Sequence, residues 1–151
     1  MRASTILLNF VLWPVMQMGL ARIFVMLPEA WFQQPATASG AGRGEVNFYR
    51  RALMIRRWKR WLPDGEGWVG GVFSKKSLRG ASREHLGQFV TESRRGEATH
   101  WSAIACSLAF FLWNPVFTWP GLLFLAVALN GPCIAAQRYN RAMLLRWLRR
   151  P

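Results

Sequence analysis

The sequence is short of the residue types that most catalytic and metal sites require. Of its 151 residues, two are cysteine, two are histidine and seven are acidic. Asp64 is the one aspartate. Cys106 and Cys133 lie in apolar runs, which excludes a disulfide framework and a cysteine-based zinc site. Both thiols read as packing residues. There is no glycine-rich phosphate loop, no His-Glu-x-x-His and no Gly-x-Ser-x-Gly, so several common reaction classes are unsupported. The acyltransferase pattern of a histidine followed four residues later by an aspartate is also absent. Glu97 and His100 have the spacing of carboxylate-bridged metal ligands. With His85 the other histidine and few acids available, a metal centre is poorly supplied. Neither a metal nor a cofactor is expected.

What the chain has in excess is cationic charge and apolar bulk. Lys and Arg number 20, the net charge is +13, and 52% of residues are hydrophobic, with nine Trp and ten Phe. The length fits one domain, 1–151. A disordered basic tail would lack the aromatic residues. The apolar residues are blocked rather than scattered. Residues 5–21 carry no charge, and 17 residues are about the shortest helix that spans the hydrocarbon layer. A cleaved signal peptide fits poorly, because the run contains Trp13-Pro14 and its small-residue site lies beyond Arg22 and Glu29. Residues 98–137 hold no Asp, Glu, Lys or Arg over 40 positions. Asn114-Pro115 and Pro120-Gly121 stand near the middle and mark a turn. The expected fold is therefore all-α: an integral membrane protein with about three transmembrane helices, near 5–27, 97–114 and 119–137.

The charges set an expected orientation. Residues 43–95 carry 13 Lys and Arg, and the tail 138–151 carries five more. The positive-inside rule puts both in the cytoplasm. The turn of the hairpin and the N-terminus are then outside. The expected location is the cell membrane, multi-pass, among membrane lipids. Nucleic acid is not an expected partner, because the cations flank apolar runs and interleave with Trp at surface-helix spacing. Nothing in the sequence sets an oligomeric state. Residues 45–61 read as one basic amphipathic helix in the membrane surface, with Phe48, Ala52, Ile55 and Leu62 on its apolar side. Residues 142–150 read as a second surface helix. A loop is expected at 33–44, a turn at 63–65, another loop at 73–83, and a helix entering the membrane from about 83.

Two constellations can carry chemistry. In the first, Glu97 and His100 share a helix face, with Glu92 less well aligned. His100 stands at the mouth of an apolar run, where an ionisable group is expensive. A histidine oriented by a carboxylate is a usual general base. The alternative is an interfacial histidine bonded to a helix neighbour. In the second, Asn130 is polar within an apolar run, Pro132 is expected to break the helix beside it, and Arg138 and Arg141 share a face. These guanidinium groups suit a phosphate or carboxylate, or simply anchor the orientation. The hairpin brings both constellations to one membrane level.

The run Ile55-Arg56-Arg57-Trp58-Lys59 with Asp64-Gly65, then Glu92, Arg95, Glu97, His100 and Trp101, then Asn130, Pro132 and Gln137-Arg138-Tyr139-Asn140-Arg141, resembles the glycosyl-4,4'-diaponeurosporenoate acyltransferase family. These are small membrane enzymes that finish staphyloxanthin-type carotenoids. The resemblance covers about 48–141. Met143 stands where the family has a second basic residue. The resemblance implies transfer of a fatty acyl group to a hydroxyl, on a sugar, of a glycosylated isoprenoid or other glycolipid. It implies His100, Glu97 and Glu92 as catalytic residues. It implies Arg95, Asn130, Gln137, Arg138, Tyr139, Asn140, Arg141, Arg56, Trp58 and Lys59 as substrate-binding residues. An acyl-CoA-like thioester is the expected donor, and a lipid-linked molecule the expected acceptor. Two other classes use the same features: a non-catalytic scaffold of a lipid-biosynthesis complex, and an intramembrane hydrolase working through Glu97 and His100.

Overall fold

The computed structural model describes residues 2–33, 43–62 and 82–148. Among these residues every regular element is helical. The α-helices are α1 (Ala3–Met26), α2 (Arg43–Arg51), α3 (Ile55–Trp58), α4 (Arg83–Ser107) and α5 (Trp119–Leu148). Short 3-10 turns follow α1, α3 and α4 and precede α5. The expected turn at 63–65 and most of the expected loops at 33–44 and 73–83 lie outside the described residues. Two segments, Ala3–Met26 and Val116–Leu148, are long and apolar enough to cross a membrane.

The hairpin of α4 and α5 is the frame. Its two helices are antiparallel and joined by the 3-10 turns Leu108–Leu112 and Val116–Thr118. Ser82 caps α4 by accepting a hydrogen bond from the His85 amide at 3.2 Å, the usual work of serine at that position. Leu86, Phe89 and Val90 of α4 bury Leu144 of α5. Spacings of three and four residues place them on one stripe. The Arg83 guanidinium donates to the Leu148 carbonyl at 3.3 Å, tying the two ends together.

α1 lies along this hairpin and buries none of its side chains fully. Trp13 packs on Phe110 with ring centroids 5.3 Å apart. Asn9 is bonded to Asn114 and accepts from Trp113 Nε1 at 2.8 Å. The N-terminal end of α1 thus sits at the turn end of the hairpin. Its other end runs toward the charged end, where Phe24 meets Phe32 at 6.0 Å.

Three expectations change. The helix expected over 45–61 is broken. Met54 takes a left-handed backbone (φ 46°), and Phe48 O accepts from both Ala52 N and Leu53 N. The kink re-aims the chain so that Val46, Tyr49 and Ile55 all face α5, packing on Ala136, Tyr139 and Ala142. Phe48, expected on the apolar face, is 55% exposed. Burial of these three side chains, at about 1.5–3 kcal/mol each, exceeds the ~1–2 kcal/mol of one left-handed residue. Second, residues 142–148 form no separate surface helix. They are the last turns of α5, because Leu144 is buried against α4. Third, Pro132 does not break α5, which continues through it. The hairpin contacts on either side outweigh one missing backbone hydrogen bond.

Gly96 lets α4 and α5 approach. A Cβ there would lie 2.9 Å from Nε2 of Gln137. Gly96→Ala is expected to be tolerated, because only the end of a flexible side chain must move. Gly96→Leu is expected to cost about 1–3 kcal/mol by overpacking. Thermal unfolding of the detergent-solubilised variants measures both, and equal stability of the two would contradict the close approach.

Candidate functional site

The site is built where the charged end of the hairpin meets its apolar part. Glu97 is one helical turn before His100, and both face α5. Glu97 is buried to 9% exposure. Its Oε1 accepts from Arg138 Nε at 2.5 Å, and its Oε2 meets Arg141 Nη2 at 2.6 Å. One carboxylate thus holds two guanidinium groups that α5 presents at three-residue spacing. Such charge-assisted contacts are the strong class of hydrogen bond, and here they fix the register of the two helices.

His100 does not pair with Glu97 in this way. Its Nδ1 lies 2.9 Å from Oδ1 of Asn130. This corrects the expectation that Glu97 orients the imidazole: the carboxylate is taken by arginines, and an amide on α5 holds the ring. The geometry also sets the direction of this bond. Asn130 Nδ2 donates to the Ala126 carbonyl at 3.0 Å, and a carbonyl can only accept. Oδ1 must therefore be the atom facing His100, so Nδ1 carries the proton. Gln17 of α1 donates from Nε2 to the same Asn130 Oδ1 at 3.2 Å. Asn130 is 1% exposed, so this amide is fully committed.

The remaining expected residues fall into three groups. Arg95 pairs with Glu92 at 2.8 Å and lies over the Phe32 ring at 5.1 Å. Glu92 is therefore a partner of Arg95, away from the imidazole contact. Gln137 packs on Gly96. Lys59 donates to Asn140 Oδ1 at 2.9 Å and stands 5.0 Å over the Tyr139 ring. Burial pushes its ammonium below the usual lysine range, and Arg56 adds repulsion. Tyr139 is buried against Tyr49. Lys59, Tyr139 and Asn140 thus dock the 59–61 turn on α5. Trp58 donates to the Leu53 carbonyl at 2.7 Å and packs on the same core. Arg56 is exposed and outside the cluster.

Beside the ion cluster is an open cleft of about 490 Å³. Trp31 and Phe32 form one wall, Arg94, Glu97 and Trp101 line it from α4, and Arg141 from α5. Among the described residues, four buried polar atoms lack a hydrogen-bond partner: Ser93 Oγ, Arg95 Nε, Gln137 Oε1 and Arg141 Nη1. All belong to the turns of α4 and α5 that carry the ion cluster. Sequence reasoning missed Gln17, Ser93, Trp31, Phe32 and Arg94. For Gln17 there was a signal: it and Asn9 are the two amide side chains in the uncharged run 5–21, where polar groups are costly. For the aromatic wall there was none, since it depends on how the chain returns after α1.

An imidazole can accept and return a proton during group transfer, and the next residue, Trp101, lines the cationic, aromatic-walled cleft. Known proteins name the group. The family model described as CrtO, glycosyl-4,4'-diaponeurosporenoate acyltransferase, matches residues 28–150. Proteins of that name from Staphylococcus aureus strains N315 and USA300 are 24% and 25% identical over 139 residues, covering 91% of this chain and 84% of theirs. No solved structure matches. The chain is an enzyme of the acyltransferase class. It belongs to the glycosyl-4,4'-diaponeurosporenoate acyltransferase family.

Glu97→Gln is expected to leave two cations facing each other without the carboxylate that compensates them. Arg138 and Arg141 keep side-chain exposures of 43% and 19%, so solvent screens part of the effect and the loss should be about 1–3 kcal/mol. Arg56→Ala should change stability by less than about 0.5 kcal/mol. Unfolding midpoints in detergent compare the two, and an equal response would dismiss the ion cluster as the register lock.

Proposed function

We propose that the protein moves a fatty acyl group from an acyl-CoA-like thioester to a sugar hydroxyl of a glycosylated isoprenoid or related glycolipid. The observation that carries this is the His100–Asn130 contact, in which Nδ1 faces the amide and Nε2 is the ring nitrogen we assign as base, one residue before Trp101 in a cleft of mixed aromatic and cationic lining. The names of the relatives supply the glycosyl acceptor. His100 Nε2 takes the proton of the acceptor hydroxyl as its oxygen attacks the thioester carbonyl. The tetrahedral intermediate then collapses, the carbon–sulfur bond breaks, and the imidazolium returns the proton to the leaving thiolate. The products are an ester and a free thiol. Arg141, with Nη1 unpartnered, is the group that stabilises the oxyanion or a donor phosphate. Glu97 acts through Arg138 and Arg141 rather than on the imidazole. Trp31, Phe32 and Trp101 provide the apolar wall for the acceptor.

The same reading places three helices across the membrane, with α4 as the third span. The N-terminus and hairpin turn are outside and the ion cluster is at the cytoplasmic boundary. Support comes from the lipid-like surface of α1 and α5, where Phe10, Val15, Phe124 and Leu129 are all at least half exposed, and from the charge distribution. Asn9 and Asn114 at one end and the arginines at the other mark the two boundaries.

His100→Gln is expected to lower transfer by at least about 10²-fold with normal membrane levels, the scale of a lost general base. Mass spectrometry of lipid extracts from expressing cells reads the acylated product. Undiminished product would remove His100 from the chemistry, and free fatty acid in place of ester would mean hydrolysis. Arg141→Ala should lower transfer by about 10²-fold if it meets the oxyanion. Unchanged transfer with reduced membrane yield would make it an anchor instead. For the topology, a cysteine-free protein with a single cysteine replacing Arg2 should react with an impermeant thiol reagent in whole cells, whereas one replacing Trp147 should not. The reverse pattern would invert the orientation.

A further inference from the structure

We infer that Gln17 is a positioning residue of the active site, so that α1 holds the catalytic base and is more than a membrane anchor. The inference rests on His100 being that base. Residues 28–150 match the family model, and α1 lies before them. Yet α1 delivers a side-chain contact to the centre of the site. Asn130 Oδ1 has two neighbours, His100 Nδ1 at 2.9 Å and Gln17 Nε2 at 3.2 Å. Its Nδ2 is used by the Ala126 carbonyl. Three helices thus meet at one buried amide.

The chemistry depends on which way that amide points. With Oδ1 toward His100, Nδ1 is the donor and Nε2 is the base. With the amide flipped, Nδ2 would point at Nδ1, the ring would adopt the other tautomer, and Nε2 would hold a proton instead of accepting one. The Ala126 bond opposes the flip from one side. Gln17 opposes it from the other, because it presents Nε2 there and its own amide would have to turn with that of Asn130. A tautomer set by the hydrogen bond on the second ring nitrogen is the general way in which a histidine is assigned its role. Gln17 is half-buried within a helix otherwise made for lipid, where an amide is retained at a cost unless it has such a partner.

Gln17→Met separates this role from packing. Methionine is nearly isosteric, favours helix and suits the apolar surroundings, so α1 should insert and pack as before. Full-length protein in native membranes is assayed with palmitoyl-CoA and glycosyl-4,4'-diaponeurosporenoate. The expected result is a fall in kcat of about tenfold with KM changed less than about twofold, the pattern of a lost orienting contact. Gln17→Glu should lose more, because a carboxylate can only accept and would favour the flipped amide. Wild-type kcat in Gln17→Met overturns the inference, as does equal loss in both variants in parallel with loss of membrane protein. His100→Gln is run alongside. If it retains activity the general-base reading fails; if it is inactive while Gln17→Met is normal, that reading stands and the role of Gln17 falls.

Discussion

The structure depends on one carboxylate shared by two arginines. Glu97 sits on α4 at the point where a charged helix becomes an apolar one, and it engages Arg138 and Arg141 of α5 with separate oxygens. An antiparallel pair of apolar helices has little else to fix its register, because leucine-like surfaces slide over one another at small cost. A two-pronged ionic contact does not slide. Once the register is set, Gly96 faces Gln137, His100 faces Asn130, and Leu86, Phe89 and Val90 close over Leu144. The contact also explains why two arginines can stand at the edge of an apolar core: their charge is partly cancelled there, and the imidazole one turn further in has an uncharged partner.

This division of labour was only half visible in the sequence. The hairpin, its turn near Asn114-Pro115 and the convergence of the two polar constellations at one level followed from charge-free run lengths and helical spacing. The family resemblance is borne out, as is the acyltransferase class. The choice of partners was not legible. Glu97 and His100 at three-residue spacing invite pairing, but neighbours on one helix project outward side by side. Residues of the opposite helix approach from the front, and two guanidinium groups compete for a carboxylate better than one imidazole ring. Only the register decides this, and the register is a property of two helices together.

The amphipathic segment shows the same limit from another side. A helix through 45–61 is the natural outcome of its residue pattern, because neither glycine nor proline interrupts that stretch. The break at Met54 arises from the demand to bury Val46, Tyr49 and Ile55 on the same strip of α5. Tertiary burial overrides local preference when the strain is confined to one residue. Pro132 is the converse case, a residue that reads as a breaker and is absorbed because the helix is held on both sides of it.

The excess of positive charge therefore does two separable jobs. Arg50, Arg51, Arg56 and Arg57 are exposed on α2 and α3, where each is solvated and individually replaceable. Arg95, Arg138 and Arg141 are each bound to a carboxylate on α4, in a chain that has only seven acids. Scarcity of acids gives these contacts their specificity: with so few carboxylates, the arginines that find one are set apart from the rest. Arg141 lines the aromatic cleft, Arg95 lies over the Phe32 ring of its wall, and each keeps a buried N–H without a partner. A site that is positively charged, already folded and short of acceptors is complementary to an anionic group or a developing oxyanion, not to another cation. The composition that first marks the chain as both cationic and apolar thus also sets the polarity of the ligand it can bind.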